Sequence, residues 1–190
     1  EKPAPAQPSF RPSLTHTGIY VRDLARMTKF YTEVMNLHIS DRGHGFSMPV
    51  NIVFMTADPT KHHQFVLAEG RKDEGASTIN QLSFKVGHLD ELRTMYRRVK
   101  AEGVNRLRGI NHGNAWSVYF EDPEGNTIEI YMDTPWYVSQ PHGDALDLEL
   151  SNEEIFRQSE AMCKNDAHFM PVREWEEKMR GELGLREAQT

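Results

Sequence analysis

The chain has 190 residues, a formal net charge of −6 with histidine neutral, and 38% hydrophobic against 26% charged residues. That is enough sequence for one ordinary domain with a sizeable core and short for two independent ones. The acidic balance, with no basic stripe, argues against a nucleic-acid partner, and no apolar run is long enough to span a bilayer. A single cysteine, Cys163, excludes an intrachain disulfide and, with no signal-peptide pattern legible, a reducing cytoplasm is the expected location.

Residues 1–13 are proline-rich and without periodicity, so they read as an N-terminal arm. Thr15–Val21 reads as a strand, and Asp23-Leu24 opens a helix with Leu24, Met27, Phe30, Tyr31 and Val34 on one face. A loop at Asn36 leads to strands near His38–Arg42, Asn51–Thr56 and Gln64–Ala68. The plan then repeats. Strand Gln81–Val86 precedes a helix from Leu89 to Glu102, which Gly103 ends where helices favour glycine. Strands follow near Arg106–Gly109, Ala115–Glu121 and Asn126–Met132, the last two joined by a tight turn with Pro123 and Gly125. Thr134–His142 reads as an extended crossing segment. Two short helices follow near Asn152–Lys164 and Val172–Gly184, the first headed by Ser151 with Glu154 at capping-box spacing.

The two strand-helix starts are copies of each other. Leu14–Leu24 aligns without a gap on Ile79–Leu89, placing His16 opposite Gln81 and Val21 opposite Val86, and the match continues to Tyr31 and Tyr96. Two such copies can pair about a pseudo-twofold axis, so that matched positions converge on one cleft. The fold expected is α+β: two paired βαβββ modules, about 14–70 and 78–132, forming a single domain over 14–137 with a U-shaped metal cleft. A C-terminal helical extension occupies 138–190.

On these residues the chain resembles the vicinal oxygen chelate superfamily, and within it the type I extradiol (ring-cleaving) catechol dioxygenases. Leu14-Thr-His-Thr-Gly-Ile-Tyr-Val21, Phe30-Tyr31-Thr-Glu-Val34 and Asp122-Pro-Glu-Gly-Asn-Thr-Ile-Glu-Ile-Tyr131 carry the likeness. The resemblance implies metal ligands at His16 and Glu129, an oxygen-handling histidine at His63, a further active-site histidine at His112 and a substrate-binding tyrosine at Tyr119. It also implies a second histidine ligand where this chain has Gln81. An amide oxygen should hold Fe(II) more weakly than imidazole, although lyases resembling glyoxalase I do use glutamine.

The residues alone leave alternatives open. Glu129 shares a strand face with Thr127 and Tyr131 while Ile128 and Ile130 face the other way. A carboxylate there needs a partner, either a metal or an arginine, with His16 then an ordinary core histidine. Gln81 reads equally as a ligand or as a hydrogen-bond donor to Glu129 or to a metal-bound water. His63 suits proton transfer near neutral pH, or is an exposed loop residue beside a solvent-facing His62. Tyr119 presents its hydroxyl inwards or fills the sheet core. His112, between Gly109 and Gly113, sits on a mobile rim or plain surface. His38, His44, His88 and His142 read as surface, and Cys163 as core packing.

The function this implies is a metal-dependent extradiol dioxygenase opening a catechol-type aromatic diol with O2. Fe(II) is the first expected metal and Mn(II) the second. A homodimer or larger assembly is expected, in aromatic-compound catabolism. One competing reading is a glyoxalase-like isomerase or lyase, which Gln81 favours, but it wants an acidic ligand on the strand that ends at Ala68. The other is a non-catalytic binder of aromatic ligands.

Overall fold

The structure, a computed structural model, describes residues 11–46, 48–72, 75 and 77–185. Residues 1–10 of the proline-rich arm and the last five residues lie outside this range. The chain divides at residues 73/74 into two compact units.

The first unit runs β1 (Thr17–Val21), α1 (Leu24–Glu33), β2 (His38–His44), β3 (Asn51–Thr56) and β4 (Phe65–Glu69). Its sheet has the order β1-β4-β3-β2, with β1 and β4 parallel and the other neighbours antiparallel. Alternation builds the core: Ile19, Val21, Val53, Met55, Phe65 and Leu67 are buried, together with Met27, Phe30 and Tyr31 of α1. Asp23 caps α1, accepting from Arg26 N at 2.9 Å. Asn36, at φ 59°, turns the chain into β2.

The second unit repeats the plan as β5 (Leu82–Lys85), α2 (Leu89–Ala101), β6 (Arg108–Asn111), β7 (Ala115–Glu121) and β8 (Thr127–Asp133). The order β6-β7-β8-β5, with β5 and β8 parallel, is the first sheet over again. Ile128, Ile130, Val118 and Phe120 pack on the α2 side with Leu89, Leu92 and Val99. Gly103 takes φ +68° after the Glu102 cap, as a terminating glycine should. Asp122 organises the β7–β8 turn, its Oδ1 accepting from Glu124 N and Asn126 N at 2.9 Å.

Three expectations shift. The strand read at Arg106–Gly109 lies at Arg108–Asn111, because Arg106 adopts left-handed φ 54° and cannot join a ladder. The rim loop read around His112 is a tight hairpin: His112 N donates to Ala115 O at 2.8 Å directly after β6. The crossing segment contains β9 (Trp136–Tyr137) and is followed by β10 (Asp144–Ala145), which extends the sheet beside β6.

The described residues from 138 to 185 belong to the second unit. α3 (Asn152–Cys163) is capped by Ser151, whose Oγ accepts from Glu154 N at 3.2 Å. The Glu154 carboxylate does not close the capping box; it holds Arg157 and Gln158 instead. β11 (Met170–Pro171) pairs with β9 and leads into α4 (Val172–Glu182). Trp116, Trp136 and Phe156 form an edge-to-face cluster beside a fully buried Cys163, which is core packing as read from the sequence.

Candidate active site

In the second unit one row of side chains crosses four strands. Arg108 is registered with Tyr119, Tyr119 with Glu129, and Glu129 with Ser83. Registered neighbours on one face are close enough to touch, and these do. Glu129 is 7% exposed, yet three side-chain donors reach it. Tyr119 OH donates to Oε1 at 2.5 Å, Ser83 Oγ to Oε2 at 2.5 Å and Gln81 Nε2 to Oε2 at 2.7 Å. The Arg108 guanidinium stacks on the outer side, 4.9 Å from the Tyr119 ring centroid. Three donors offset much of the cost of burying this carboxylate.

Burial, and then its bond to Glu129, pushes the Tyr119 phenol well above its ordinary value. Its oxygen also lies 3.1 Å from His112 Nε2. The other ring nitrogen, Nδ1, is 2.7 Å from the main-chain oxygen of His142. A carbonyl only accepts, so Nδ1 carries the proton, and the Nδ1–H tautomer presents the Nε2 lone pair towards Tyr119. Tyr119 has one proton for two acceptors, and the 2.5 Å contact assigns it to Glu129. A hydroxyl brought to this spot would find Nε2 ready to accept.

In the first unit His16 directly precedes β1, as Gln81 directly precedes β5. Its Nδ1 lies 3.2 Å from Thr15 Oγ1, which leaves Nε2 as the nitrogen for a ligand. The His63 ring packs edge-on against His16 at 4.5 Å and against Phe54 at 5.2 Å. His63 precedes β4 rather than opening it, and its Nδ1 is 2.9 Å from Nδ1 of the exposed His62. Burial, then the His16 and His62 charges, lowers the His63 basicity. The same unit holds an apolar cavity of about 230 Å³ lined by Gly18, Tyr20, Met48, Ile52, Phe54 and Val66. A larger one of about 490 Å³, among Trp136, Phe156 and Phe169 of the second unit, is lined by none of the six residues selected from sequence.

Gln81, Glu129, Tyr119 and His112 are thus joined in one network, and His16 and His63 form a pair in the other unit. Ser83, Arg108, Gln140 and His142 were not among the residues selected. His142 is no plain surface histidine: its side chain is 22% exposed and its carbonyl holds His112. Among the described residues no three His, Cys, Asp or Glu side chains gather as a metal site, and the set read from sequence has only two of those types.

The donor chemistry nevertheless suits a divalent cation. A carboxylate offers about four acceptor positions, and three at Glu129 are filled by hydrogen bonds. Gln81 spends its amide N–H on Glu129 and keeps Oε1, whose partner is Asn80 Nδ2 at 3.2 Å. The amide oxygen and carboxylate of the second unit are each donor types that Mn(II) or Fe(II) accepts, as is the His16 imidazole of the first. β4 does run one residue further than expected, to Glu69, but that residue pairs with Val21, at the end of β1 remote from His16. Its carboxylate accepts from Asn51 N at 3.1 Å, and Gln64 is the residue beside β1's start.

A repeated βαβββ unit with its polar row on the sheet defines the class. The chain belongs to the glyoxalase/bleomycin resistance protein/dioxygenase superfamily, which matches residues 13–130. It is 26% identical over 154 residues to biphenyl-2,3-diol 1,2-dioxygenase 2 of Rhodococcus globerulus, covering 72% of this chain and 77% of that protein. Biphenyl-2,3-diol 1,2-dioxygenase 3 of the same organism is 26% identical over 128 residues, 64% of each. Similar solved structures include a glyoxylase/bleomycin resistance protein/dioxygenase domain from Frankia sp. EAN1pec, with TM-score 0.55 and 22% identity over 66% of this chain and 100% of that one. The fosfomycin resistance protein FosX of Listeria monocytogenes, complexed with Mn(II) and sulfate, gives TM-score 0.51 and 20% identity over 66% and 95%. At these identities the structural matches establish the fold alone. Among the described residues no helix is long and apolar enough to cross a membrane.

Proposed function

We propose that this chain is a metal-dependent extradiol dioxygenase that opens a catechol-type aromatic diol with O2. The observation that carries the reading is the Glu129–Tyr119–His112 network: a buried carboxylate held by three donors, a phenol whose proton is tightly held, and an imidazole nitrogen turned towards it. The likeness to two biphenyl-2,3-diol dioxygenases supports it. His16 Nε2, Gln81 Oε1 and Glu129 would supply the metal ligands, with Fe(II) first and Mn(II) second. Such a metal would supply Lewis-acid and electron-transfer chemistry to the diol and O2.

The protein's own groups do the rest. His112 Nε2 accepts a proton from one diol hydroxyl, and Tyr119 hydrogen-bonds the diol oxygens. His63, its basicity lowered by burial and by its two histidine neighbours, would hold and return the proton that oxygen chemistry needs. The apolar cavity beside Gly18 and Phe54 accommodates ring carbon rather than charge. Residues 14–137 make the catalytic domain in this reading, with 138–190 as an extension. A dimer or larger assembly belongs to the reading. A cytoplasmic catabolic role completes the reading.

The lyase alternative loses ground, because Gln64, not a carboxylate, stands beside the start of β1. The test is anaerobic reconstitution with Fe(II), followed by oxygen uptake on plain and aryl-substituted catechols. Wild type should consume O2 and release a yellow ring-opened product, Glu129→Ala should do neither, and Gln81→His should bind iron about tenfold more tightly. Bound metal with no oxygen uptake on any diol would sink the proposal.

A further inference from the structure

The hairpin that carries His112 is held by chain lying beyond the superfamily match. Thr134 Oγ1 and Trp136 Nε1 both donate to Gly113 O at 2.7 Å, and Asn111 Nδ2 donates to Ser159 Oγ at 3.0 Å. These bonds fix the hairpin's backbone. They do not explain why His112 points Nε2 at Tyr119.

Gln140 does. Its Nε2 donates to His112 O at 2.8 Å and to Asn114 Oδ1 at 3.1 Å. Its Oε1 accepts from His142 N at 3.2 Å. One side chain thereby grips the main chains of His112 and His142, the pair joined by the 2.7 Å contact from His112 Nδ1 to His142 O. Gln140 is exposed, and an exposed glutamine ordinarily spends its amide on water. Here both of its polar atoms are committed to protein groups, the main chains of His112 and His142 with Asn114 Oδ1 beside them, and it lies within no strand or helix.

We propose that Gln140 is a positioning residue for the diol-cleaving reaction: it clamps the His142 carbonyl against His112 Nδ1, which selects the Nδ1–H tautomer and aims the Nε2 lone pair at Tyr119 and the diol. The inference rests on the ring-cleavage reading for its role, but the clamp itself is independent of it. Without the amide, the 138–142 strap is free to drift. A displacement of about 1 Å at a positioning group typically costs about a hundredfold in rate, whereas the metal ligands and the apolar cavity are untouched.

The test pairs kinetics with a readout that needs no activity. Gln140→Met keeps the length and loses the amide. Gln140→Glu keeps an acceptor for His142 N but offers His112 O no donor. Both should keep wild-type metal content and lose about ten- to a hundredfold in kcat, with KM for catechol moving less than about threefold. In 15N-labelled, metal-free protein, His112 should read as a single Nδ1–H tautomer in wild type and as a mixture in both variants. A variant with wild-type kcat and an unchanged single tautomer would overturn the proposal. If wild type oxidises no diol, the ring-cleavage reading falls, and the nitrogen spectra alone still decide whether Gln140 sets the tautomer.

Discussion

Tyr119 stands directly opposite Glu129 in the β7–β8 ladder, and its hydroxyl donates to Oε1 at 2.5 Å. Ser83 stands opposite the same carboxylate from β5, and donates to Oε2. Glu129 is on a central strand, so it can draw a donor from each side while its own backbone stays in the sheet. That placement keeps a charge at a buried position and leaves one acceptor site over.

Replacing Tyr119 by Phe deletes the donor to Oε1 and the neighbour of His112 Nε2 while keeping the ring under Arg108. Diol turnover should fall by about 10²–10³, the usual consequence of removing one aligned donor from a site. A titration follows too. The folded phenol holds its proton above the unfolded value of about 10, so Tyr119 contributes stability that is complete below pH about 10 and is lost as pH rises through the folded value. Ultraviolet titration of the six tyrosines should count one more phenol resisting ionisation until alkaline unfolding in wild type than in Tyr119→Phe. An unchanged count of resistant phenols in Tyr119→Phe would refute the assignment.

Ser83→Ala removes one of three donors and leaves part of a buried charge unpaired. The expected cost is about 1–3 kcal/mol, with each kcal/mol lowering the melting temperature by about 2–4 °C in a chain of this size. The loss should shrink in a Glu129→Gln background, where no charge needs the hydroxyl, giving a coupling of about 0.5–3 kcal/mol in the double-mutant cycle. Strict additivity would mean that Ser83 is only a packing residue.

His63 should titrate below the ordinary histidine value of about 6.5, because burial and then His16 and His62 oppose its protonation. For a base with a lowered folded value, the stability it contributes is present above pH about 6.5 and is lost as pH falls through that lowered value. Proton NMR should place its C2–H midpoint below the ordinary histidine value, and His62→Ala should move it back upward. Oxygen uptake should decline on the acid side in step with that midpoint. A His63 midpoint at or above the free value would remove the basis for its role as proton acceptor.

The sequence made part of this legible. Period-two alternation put Glu129 opposite in sense to Ile128 and Ile130, and the gapless repeat put Gln81 at the position of His16; both are seen in the two like sheets. Ser83 was within reach of the same logic. It lies two residues after Gln81 on the same face, and aligning β5 on β8 brings it to Glu129. Arg108 was hidden because the strand was placed two residues early, and nothing in the residue types announces the left-handed Arg106. Gln140 and His142 carry no periodic signal at all. Their bonds reach back about 30 positions to a hairpin, and only the folded chain joins them. The two-residue ladders β9 and β11 are likewise too short to pattern.

Gly113, adjacent to His112, should tolerate no side chain. Its φ is +75°, and a Cβ built there would lie 2.2 Å from Val138 Cγ2. Val138 is fully buried and branched, so it cannot swing aside. Gly103 is the natural control: its φ is +68°, but a Cβ would meet nothing within 4 Å. Gly103→Ala should therefore cost only the backbone preference, about 1 kcal/mol. Gly113→Ala should cost that plus the clash, about 2–4 kcal/mol together, and should also slow diol turnover, because the shift is felt at His112 and at the Thr134 and Trp136 bonds to Gly113 O. Adding Val138→Ala should recover the clash share but not the backbone share. Chemical denaturation of the four proteins measures both. Equal losses for Gly103→Ala and Gly113→Ala would show that the hairpin relaxes freely, and that the packing of Val138 against it does not hold His112 in place.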